Sequence, residues 1–404
     1  MLALFLFWVG LGIGDNLSDA RFWVGSTWSI LYGEWIFMLL YLGLFSPWRA
    51  LSASIGAHPL AVKLGILWLV AVWASWMLAP FCSLSNPLCL MRLAETITHP
   101  LFFLILWHFF SEHKVDYALI ILALLGATVL VMGYFVYIHF AYSGLHADRG
   151  TFSMRSSHLW LNTHVHRIGY QVETAILMST AFLFDRKSRG RIFPVLLLLF
   201  LFLIWLGGRA ALLGTLVGLA VLFVHFWGRR AFVYMLIFSL LTTLALFLLW
   251  RYRLVDFGYM GRIFERTFHV SSLDHLLSGR VHLWKLLFHE LQGHWLFGNG
   301  PQSYYFYADR PLEVIHAHNF VLQFLGEWGI LGAGSALALL VLAWVYGMRQ
   351  RRSARREAVA AADWRLAAGV TLLGLSVTGL FGGIYFFSQS SLFLALGFAV
   401  WLKR

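Results

Sequence analysis

Hydrophobic residues fill the chain in long runs that short polar segments interrupt. Many runs reach about 20 residues, the length that an α-helix needs to cross a bilayer core of roughly 30 Å. Backbone polar groups in lipid must be satisfied within the protein, so helices are the expected spanning elements. The pattern predicts twelve spans, with approximate cores at residues 2–14, 24–45, 60–79, 92–110, 115–139, 168–184, 192–206, 209–227, 231–249, 318–347, 366–382 and 384–402.

Two parts of this pattern are weak. The first span, in "LALFLFWVGLGIG", is short. It has no basic segment before it and no small-residue cleavage site after it, so we do not interpret it as a signal peptide. The spans at 192–206 and 209–227 are separated only by "LGGRA", and they could instead form one broken element.

Composition points to the same class of protein. The 404 residues are 60% hydrophobic and 12% charged, which is about half the charged fraction of an ordinary soluble domain. We therefore predict an all-α polytopic membrane protein with about twelve transmembrane helices. No internal repeat or low-complexity linker divides the chain, so residues 1–404 are predicted to form a single membrane domain.

Short basic loops predict the orientation in the membrane. Lys and Arg concentrate on the cytoplasmic side of membrane proteins, so we expect both termini in the cytoplasm. The net charge of +12 largely reflects this bias and requires no nucleic-acid partner. Cys82 and Cys89 fall in an outer loop. The sequence is consistent with a disulfide between them and equally with two unpaired cysteines. The basic segments are "DRKSRGR" (185–191), "GRR" (228–230), "MRQRRSARREAVAAADWR" (348–365) and the terminal "KR".

The opposite side receives a smaller loop at residues 140–167 and a large loop at residues 250–317, between spans 9 and 10. Both are rich in Arg, His and Tyr and poor in acidic residues, against the orientation rule. Either they hold an anion, or their basic residues lie at the level of the lipid headgroups. The large loop should contain an amphipathic helix, because "GRVHLWKLLFHELQGHW" has helical spacing of its apolar residues, at Val281, Trp284, Leu287, Phe288 and Leu291.

The segment "HAHNFVLQFLGEWGILG" (316–332) places two histidines before an apolar helix. His318 lies at the outer end of the predicted tenth span. Gly329 returns to nearly the same helical face eleven residues later, and Gly332 lies close to it. A stripe of small residues lets a neighbouring helix pack closely. The hypothesis is that the glycines let this helix pack closely against its neighbours and so place His318 at its outer end, where the helix meets water. The alternative is a histidine that is simply satisfied at the membrane interface.

Two arginines are predicted on the same side as His318. Arg209, in "LGGRAALLGTLVG", lies at the membrane boundary above the GxxxG pair Gly214 and Gly218, and a guanidinium beside hydrocarbon is usually functional or paired. Arg280, in "SGRVHLWK", lies in the large loop. Arginine forks match phosphate oxygens, and a neutral imidazole accepts a proton near neutral pH. This set suits displacement of a diphosphate by a hydroxyl.

Four further residues are weaker candidates. Arg167, in "THVHRIGYQVE", is the preferred third arginine for substrate contact, and Tyr170 lies one helical turn after it. His316 could replace His318 as a base, although a supporting role is favoured. Asn319 either orients His318 or caps the start of the helix.

These motifs resemble those of the O-antigen ligase family (WaaL type), within a wider group that includes Wzy polymerases and protein O-oligosaccharyltransferases. "HNFVLQFLGEWGILG" matches the pattern His-Asn, nine residues, Gly, two residues, Gly, and "RAALL" matches Arg, three residues, Leu. "SGRVHLWKLLFHELQGHWLFGNGP" resembles the segment of the large periplasmic loop that holds a second essential arginine. The resemblance is clearest over residues 205–335.

The resemblance implies a reaction at the periplasmic face of the bacterial inner membrane. A glycan carried on undecaprenyl diphosphate is transferred to a sugar hydroxyl of lipid A–core, with inversion at the anomeric carbon and without a cofactor, ATP or a metal. On this basis His318 is the catalytic general base, and Arg209 and Arg280 bind the diphosphate. Membrane lipids flank the site, and an open flank beside Arg209 admits the polyprenyl chain.

The sequence also allows comparison with two other classes of membrane protein and with other members of the same group. A metal-dependent polyprenyl-sugar transferase would use acids in the first outer loop, where Asp15 and Asp19 are more simply part of a polar turn. A transporter or flippase would carry charges within spans, as at Glu34 and Glu95, but no matched pair of broken helices is visible. Within the group, one dominant outer loop favours the ligase over a polymerase. The lack of extra C-terminal segments favours it over a protein O-oligosaccharyltransferase.

Overall fold

The computed structural model describes residues 2–12, 22–79, 86–142, 165–183, 186–225, 277, 279–310, 314–354 and 364–403, and the isolated positions 240, 244, 248 and 251. Every regular element in these ranges is helical, which confirms the predicted all-α class. The α-helices are α1 (Leu2–Leu11), α2 (Phe22–Phe45), α3 (Trp48–Gly56), α4 (Pro59–Leu78), α5 (Pro87–Glu112), α6 (Tyr117–Tyr142), α7 (Val165–Ser179), α8 (Arg186–Leu206), α9 (Arg209–His225), α10 (Arg280–Glu290), α11 (Phe320–Ala354), α12 (Trp364–Gly379) and α13 (Ser388–Trp401).

Several of these helices are long and apolar enough to cross a membrane, so the chain is a helical membrane protein. Helices α1, α9 and α13 are apolar but shorter. The number of twelve spans stays a prediction, because the predicted span at 231–249 lies almost wholly outside the described residues. Six candidate spans are found in the described part of the chain, at Thr27–Phe45, Pro59–Leu78, Pro87–Glu112, Tyr117–Tyr137, Lys187–Leu206 and Phe320–Arg351.

The interior of the bundle is formed largely by α5, α7, α12 and α13, which pack against one another. These helices bury many of their side chains, including charged and hydroxyl groups. Helix α4, which packs on α11, instead leaves apolar side chains such as Leu60, Val70 and Met77 exposed. A lipid-facing surface has this apolar character, so the polar chemistry of the chain is directed inward.

Helices α8 and α9 are separate, because Gly207 has a φ of 69° between them. The GxxxG pair of α9 then packs closely against its neighbours, as predicted. A Cβ at Gly214 would collide with both α7 and α12, and a Cβ at Gly218 would lie 2.8 Å from Leu177 Cδ2 and 3.2 Å from the Val370 carbonyl oxygen. The small residues therefore let α9 sit between α7 and α12, with its first residue, Arg209, at the end that follows Gly207.

The large loop contains the predicted helix, which is α10. Its apolar face differs in part from the predicted one. Phe288, which was predicted to belong to that face, is 41% exposed. The side chains that α10 and the following turn bury are Leu283, Leu286, Leu287 and Leu291.

Helix α11 is broken at Gly329, which corrects the predicted continuous stripe of glycines. Gly329 has φ 65° and ψ −169°, a conformation that is essentially restricted to glycine. The backbone of residues 295–297 packs directly against it, and the Ile330 N–H donates to the Trp295 carbonyl at 2.8 Å. Gly329 therefore packs against a segment of the large loop and not against a neighbouring helix. Gly332 does face a neighbour, since its ideal Cβ would lie 3.5 Å from Ala71 Cβ of α4.

Replacing Gly329 by alanine is expected to destabilise the protein by at least about 1–3 kcal/mol, the typical cost of a backbone conformation that the residue disfavours. A collision of the new Cβ with residues 296 and 297 adds to this cost. Gly334→Ala is the matched control, because an ideal Cβ at this position of α11 meets nothing within 4 Å. Thermal unfolding in detergent measures both variants. Equal stability of the two would contradict this account of the break.

Cys89 is buried and disulfide-bonded, whereas Cys82 lies outside the described residues. Asp15 and Asp19, which were considered as metal ligands, also lie outside them. The smaller loop at 140–167 is mostly outside the described part of the chain.

Candidate active site

His318 lies in the turn before α11 and has a φ of 53°, which is uncommon for a residue other than glycine. The next residue holds this turn in place. Asn319 Oδ1 accepts from the Leu322 N–H at 3.1 Å, and Asn319 Nδ2 donates to the Leu380 carbonyl at 3.1 Å. Asn319 therefore caps α11 and ties the turn to the end of α12. Capping was one of the two predicted roles of Asn319, and the hydrogen bonds support it.

His316 is buried beside His318. The His318 N–H donates to His316 Nδ1 at 3.0 Å, so in the neutral ring the His316 proton is on Nε2. The His316 ring is stacked on Phe386 at 4.6 Å, meets Phe387 edge-on at 5.5 Å, and lies 4.0 Å from the His318 ring. These contacts fix the position of His316 next to the His318 turn, and its supporting role in the reaction stays a prediction.

Arg280 is the first residue of α10, directly after Gly279, whose φ is 78°. Its Nη1 donates to the Leu277 carbonyl at 3.0 Å. Its Nε is buried and has no hydrogen-bond partner among the described residues. A buried guanidinium nitrogen without a partner is costly, and this N–H can donate to an anionic oxygen.

The charged groups of the site lie close enough to influence one another. The pKa of Arg280 is lowered, and burial is the main cause. The Tyr170 hydroxyl raises this pKa, whereas the positive charge of Arg209 lowers it further. Burial is also the main cause that lowers the pKa of His318 from 6.5 to about 3, followed by the charges of Arg280 and His166. Arg280 therefore lies near enough to His318 and to Arg209 to act on the first and be acted on by the second, although the sequence separates His318 from Arg209 by 109 positions (318 − 209). His318 is neutral at physiological pH.

Arg167 and Tyr170 form the wall of the site on α7. The Tyr170 hydroxyl accepts from the Gly383 N–H at 3.0 Å. The guanidinium of Arg167 is buried and lies over the Phe387 ring, 4.8 Å from its centroid. Arg167 thus borders the site through Phe387, which also contacts His316. Its position is compatible with the proposed third arginine, and its contact with a substrate stays a prediction.

The segment between α12 and α13, residues 380–387, also contributes to the site and was not predicted from the sequence. This segment, "LFGGIYFF", provides the Leu380 carbonyl to Asn319 and the Gly383 N–H to Tyr170. An ideal Cβ at Gly383 would lie 2.7 Å from His316 Cε1, so only glycine fits there. The sequence signal is two adjacent glycines, then one isoleucine and three consecutive aromatic residues.

A buried ionic cluster was also missed. Arg92 of α5 forms ion pairs with Glu95 at 3.3 Å and with Glu327 of α11 at 3.1 Å. Glu34 of α2, the other acid within a predicted span, pairs with His99 at 2.9 Å. The acids that were considered for a transport pathway are thus each matched locally by a basic partner. Glu327 lies inside the His-Asn motif segment, but nothing in the sequence pattern indicates its distant partner, Arg92.

The comparisons with known proteins bear on the same region. Residues 194–337 match the model of the Wzy_C family, described as O-antigen ligase. The matched region contains Arg209, Arg280 and His318, whereas Arg167 and Tyr170 precede it. A search of curated proteins found no match to the chain.

Proposed function

We propose that this chain, which belongs to the O-antigen ligase group by its residues 194–337, transfers a glycan from undecaprenyl diphosphate to a sugar hydroxyl of lipid A–core. The observation that carries the proposal is the position of Arg280 beside a neutral His318, with Arg209 near Arg280. We further propose that the chain lies in the bacterial inner membrane with both termini in the cytoplasm, so that this site faces the periplasm.

The reaction is a displacement at the anomeric carbon of the donor. His318 accepts the proton of the acceptor hydroxyl as the acceptor oxygen forms its bond to the anomeric carbon. The bond from the anomeric carbon to the diphosphate oxygen breaks, and its electron pair stays on the diphosphate. The configuration at the anomeric carbon is inverted. Arg280 and Arg209 stabilise the charge that develops on the leaving phosphate.

The low pKa of His318 has a direct role in this scheme. A neutral imidazole is available as a base without first losing a proton. When the donor binds, its negative diphosphate offsets the charge of Arg280 and raises the pKa of His318. The imidazole is therefore more basic in the donor complex than in the free enzyme. The complex is the state in which it accepts the proton of the acceptor hydroxyl.

The pH dependence of kcat/KM tests this assignment, because this ratio reports the ionisation of free enzyme groups. The folded pKa of His318 is lowered to about 3, so the imidazole is neutral from pH 5 to pH 8. We expect no decrease of kcat/KM with a midpoint near 6.5 on the acid side. His282→Asn, which replaces an exposed histidine of α10, is the control and should leave the profile unchanged. The assignment would be contradicted if kcat/KM of the parent decreased on the acid side with a midpoint at pH 6–7 and the His282→Asn variant kept the same profile. His318 would then not be a neutral, buried base.

The proposed activity is tested with purified protein in detergent, undecaprenyl-diphosphate glycan and lipid A–core, followed by gel analysis. Appearance of lipid A–core bearing the glycan, in the presence of a chelator and without a membrane gradient, is the expected result. Polymer formation from the donor alone would instead identify a polymerase, and transfer to a peptide would identify a protein glycosyltransferase. Absence of transfer to all three acceptors would contradict the proposal.

A further inference from the structure

One carboxamide connects the turn of His318 to the buried ionic cluster. Gln323, on the first part of α11, accepts from the Ala317 N–H through Oε1 at 2.9 Å. Its Nε2 donates to Glu327 Oε1 at 2.7 Å. Because the backbone N–H can only donate, the oxygen of the carboxamide must face Ala317 and its nitrogen must face Glu327. Gln323 thus holds the residue immediately before His318 from inside the protein.

Glu327 is fixed on every side. Both of its carboxylate oxygens accept from Arg92 Nε at 3.1 Å, and Oε1 also accepts from the Gln302 N–H at 3.2 Å. Its backbone carbonyl accepts from Ser75 Oγ of α4. These bonds leave the carboxylate one orientation, and that orientation presents Oε1 to Gln323.

Arg92 connects two walls of the site. Its Nε holds Glu327 on α11, and its Nη2 donates to the Tyr385 carbonyl at 3.2 Å. Tyr385 precedes Phe386, on which His316 is stacked. The guanidinium itself lies 5.3 Å from the centre of the Phe386 ring. One buried side chain therefore sets the distance between the helix that carries Gln323 and the segment that supports His316.

Stability alone gives a weak reason for such a cluster. The exposed fractions of Arg92 and Glu327 are 3% and 1%, and a buried ion pair often stabilises no more than well-packed apolar residues of similar size. Geometry is the better reason. The backbone of His318 has an unfavourable positive φ, and a conformation of this kind persists only where the surroundings determine it.

We propose that Gln323, held by Glu327 and Arg92, is a positioning residue that sets the location of the His318 imidazole for the transfer step. The proposal rests on the proposed function, because it takes His318 as the base. Gln323 does not touch the substrate in this scheme, and it acts through the Ala317 N–H. Without it the turn relaxes, the imidazole moves away from the acceptor hydroxyl, and water gains access to the ring.

The test compares Gln323→Met, Glu327→Gln and the control Gln350→Met. Methionine resembles glutamine in size but makes neither of the two hydrogen bonds. Glu327→Gln removes the charge that pairs with Arg92, yet keeps an oxygen that can accept from Gln323. Gln350 lies on the same helix, 27 positions (350 − 323) further along, where it donates to the Tyr346 hydroxyl. For each variant kcat, donor KM, the pH profile and the melting temperature are measured.

We expect Gln323→Met to lower kcat by roughly 10–100-fold, the scale of a displacement of about 1 Å, with donor KM within about twofold of the parent. In the parent the His318 imidazole faces Arg280, His166 and His316. In the variant, water around the exposed imidazole should raise its pKa toward about 6.5. An acid limb near pH 6–7 should then appear that the parent lacks. Glu327→Gln should lower the melting temperature more than Gln323→Met but lower kcat less, and Gln350→Met should resemble the parent.

A folded Gln323→Met variant with parent-like kcat and pH profile would overturn the proposal. The proposal would also be overturned if the variants with the largest decrease in melting temperature showed the largest decrease in kcat. That correlation is expected if the cluster contributes only to stability. If Gln323→Met does not fold, Gln323→Asn decides in the same way, since its shorter side chain cannot reach both partners. An inactive parent protein would instead reject the proposed function, which keeps the two failures distinguishable.

Discussion

Replacing His318 by alanine is expected to lower the rate of glycan transfer by about 10²–10⁴-fold, the usual cost of losing a general base. Donor affinity should stay within about twofold of the parent, because the arginines that bind the diphosphate are retained. The imidazole is neutral in the free enzyme, so its removal takes away no charge with which the donor pairs. Single-turnover rates and equilibrium donor binding measure the two effects separately.

His316→Ala is the informative comparison for this experiment. His316 Nδ1 accepts from the His318 backbone and its ring is stacked on Phe386, so its loss should disturb the turn and give a smaller decrease in rate. If His318→Ala folds and transfers glycan at nearly the parent rate, His318 is not the base. A much larger effect of His316→Ala would then transfer that role to His316.

Replacing Arg280 by alanine is expected to weaken donor binding at least about tenfold. A charge-assisted hydrogen bond in a site of this kind contributes about 1.5–3 kcal/mol, and the buried Nε of Arg280 has no other partner among the described residues. Arg209→Ala should act in the same direction, since Arg209 lies near enough to lower the pKa of Arg280. Lysine should substitute poorly at either position, because it keeps the charge but loses the two-pronged geometry.

Arg349→Ala and Arg349→Lys provide the matched control, since Arg349 is exposed near the far end of α11. Donor affinity is measured with undecaprenyl-diphosphate glycan on the folded, purified proteins. Parent-like affinity in all four variants of Arg209 and Arg280 would show that these arginines do not hold the diphosphate. Arg280→Ala has a second expected effect, because removing its positive charge raises the pKa of His318.

The sequence by itself determined the class of the protein and the main candidate residues. Runs of apolar residues at the length of a bilayer core are a local property, so they predicted helical spans without knowledge of the packing. The His-Asn motif and the arginines at Arg209 and Arg280 were also visible locally. The close packing of α9 followed from two glycines four positions apart, because that spacing places both on one helical face.

Only the tertiary structure decided how these residues act together. The break at Gly329 could not be predicted from helical periodicity, since it depends on a loop segment that packs against the helix from outside. The partners of Glu327 and His316 come from positions far apart in the chain, Arg92 and Phe386. A charge or an aromatic ring carries no sign of its distant partner in the sequence, because that partner is selected by helix packing. The neutral state of His318 has the same origin, since burial and the approach of Arg280 arise only in the folded protein.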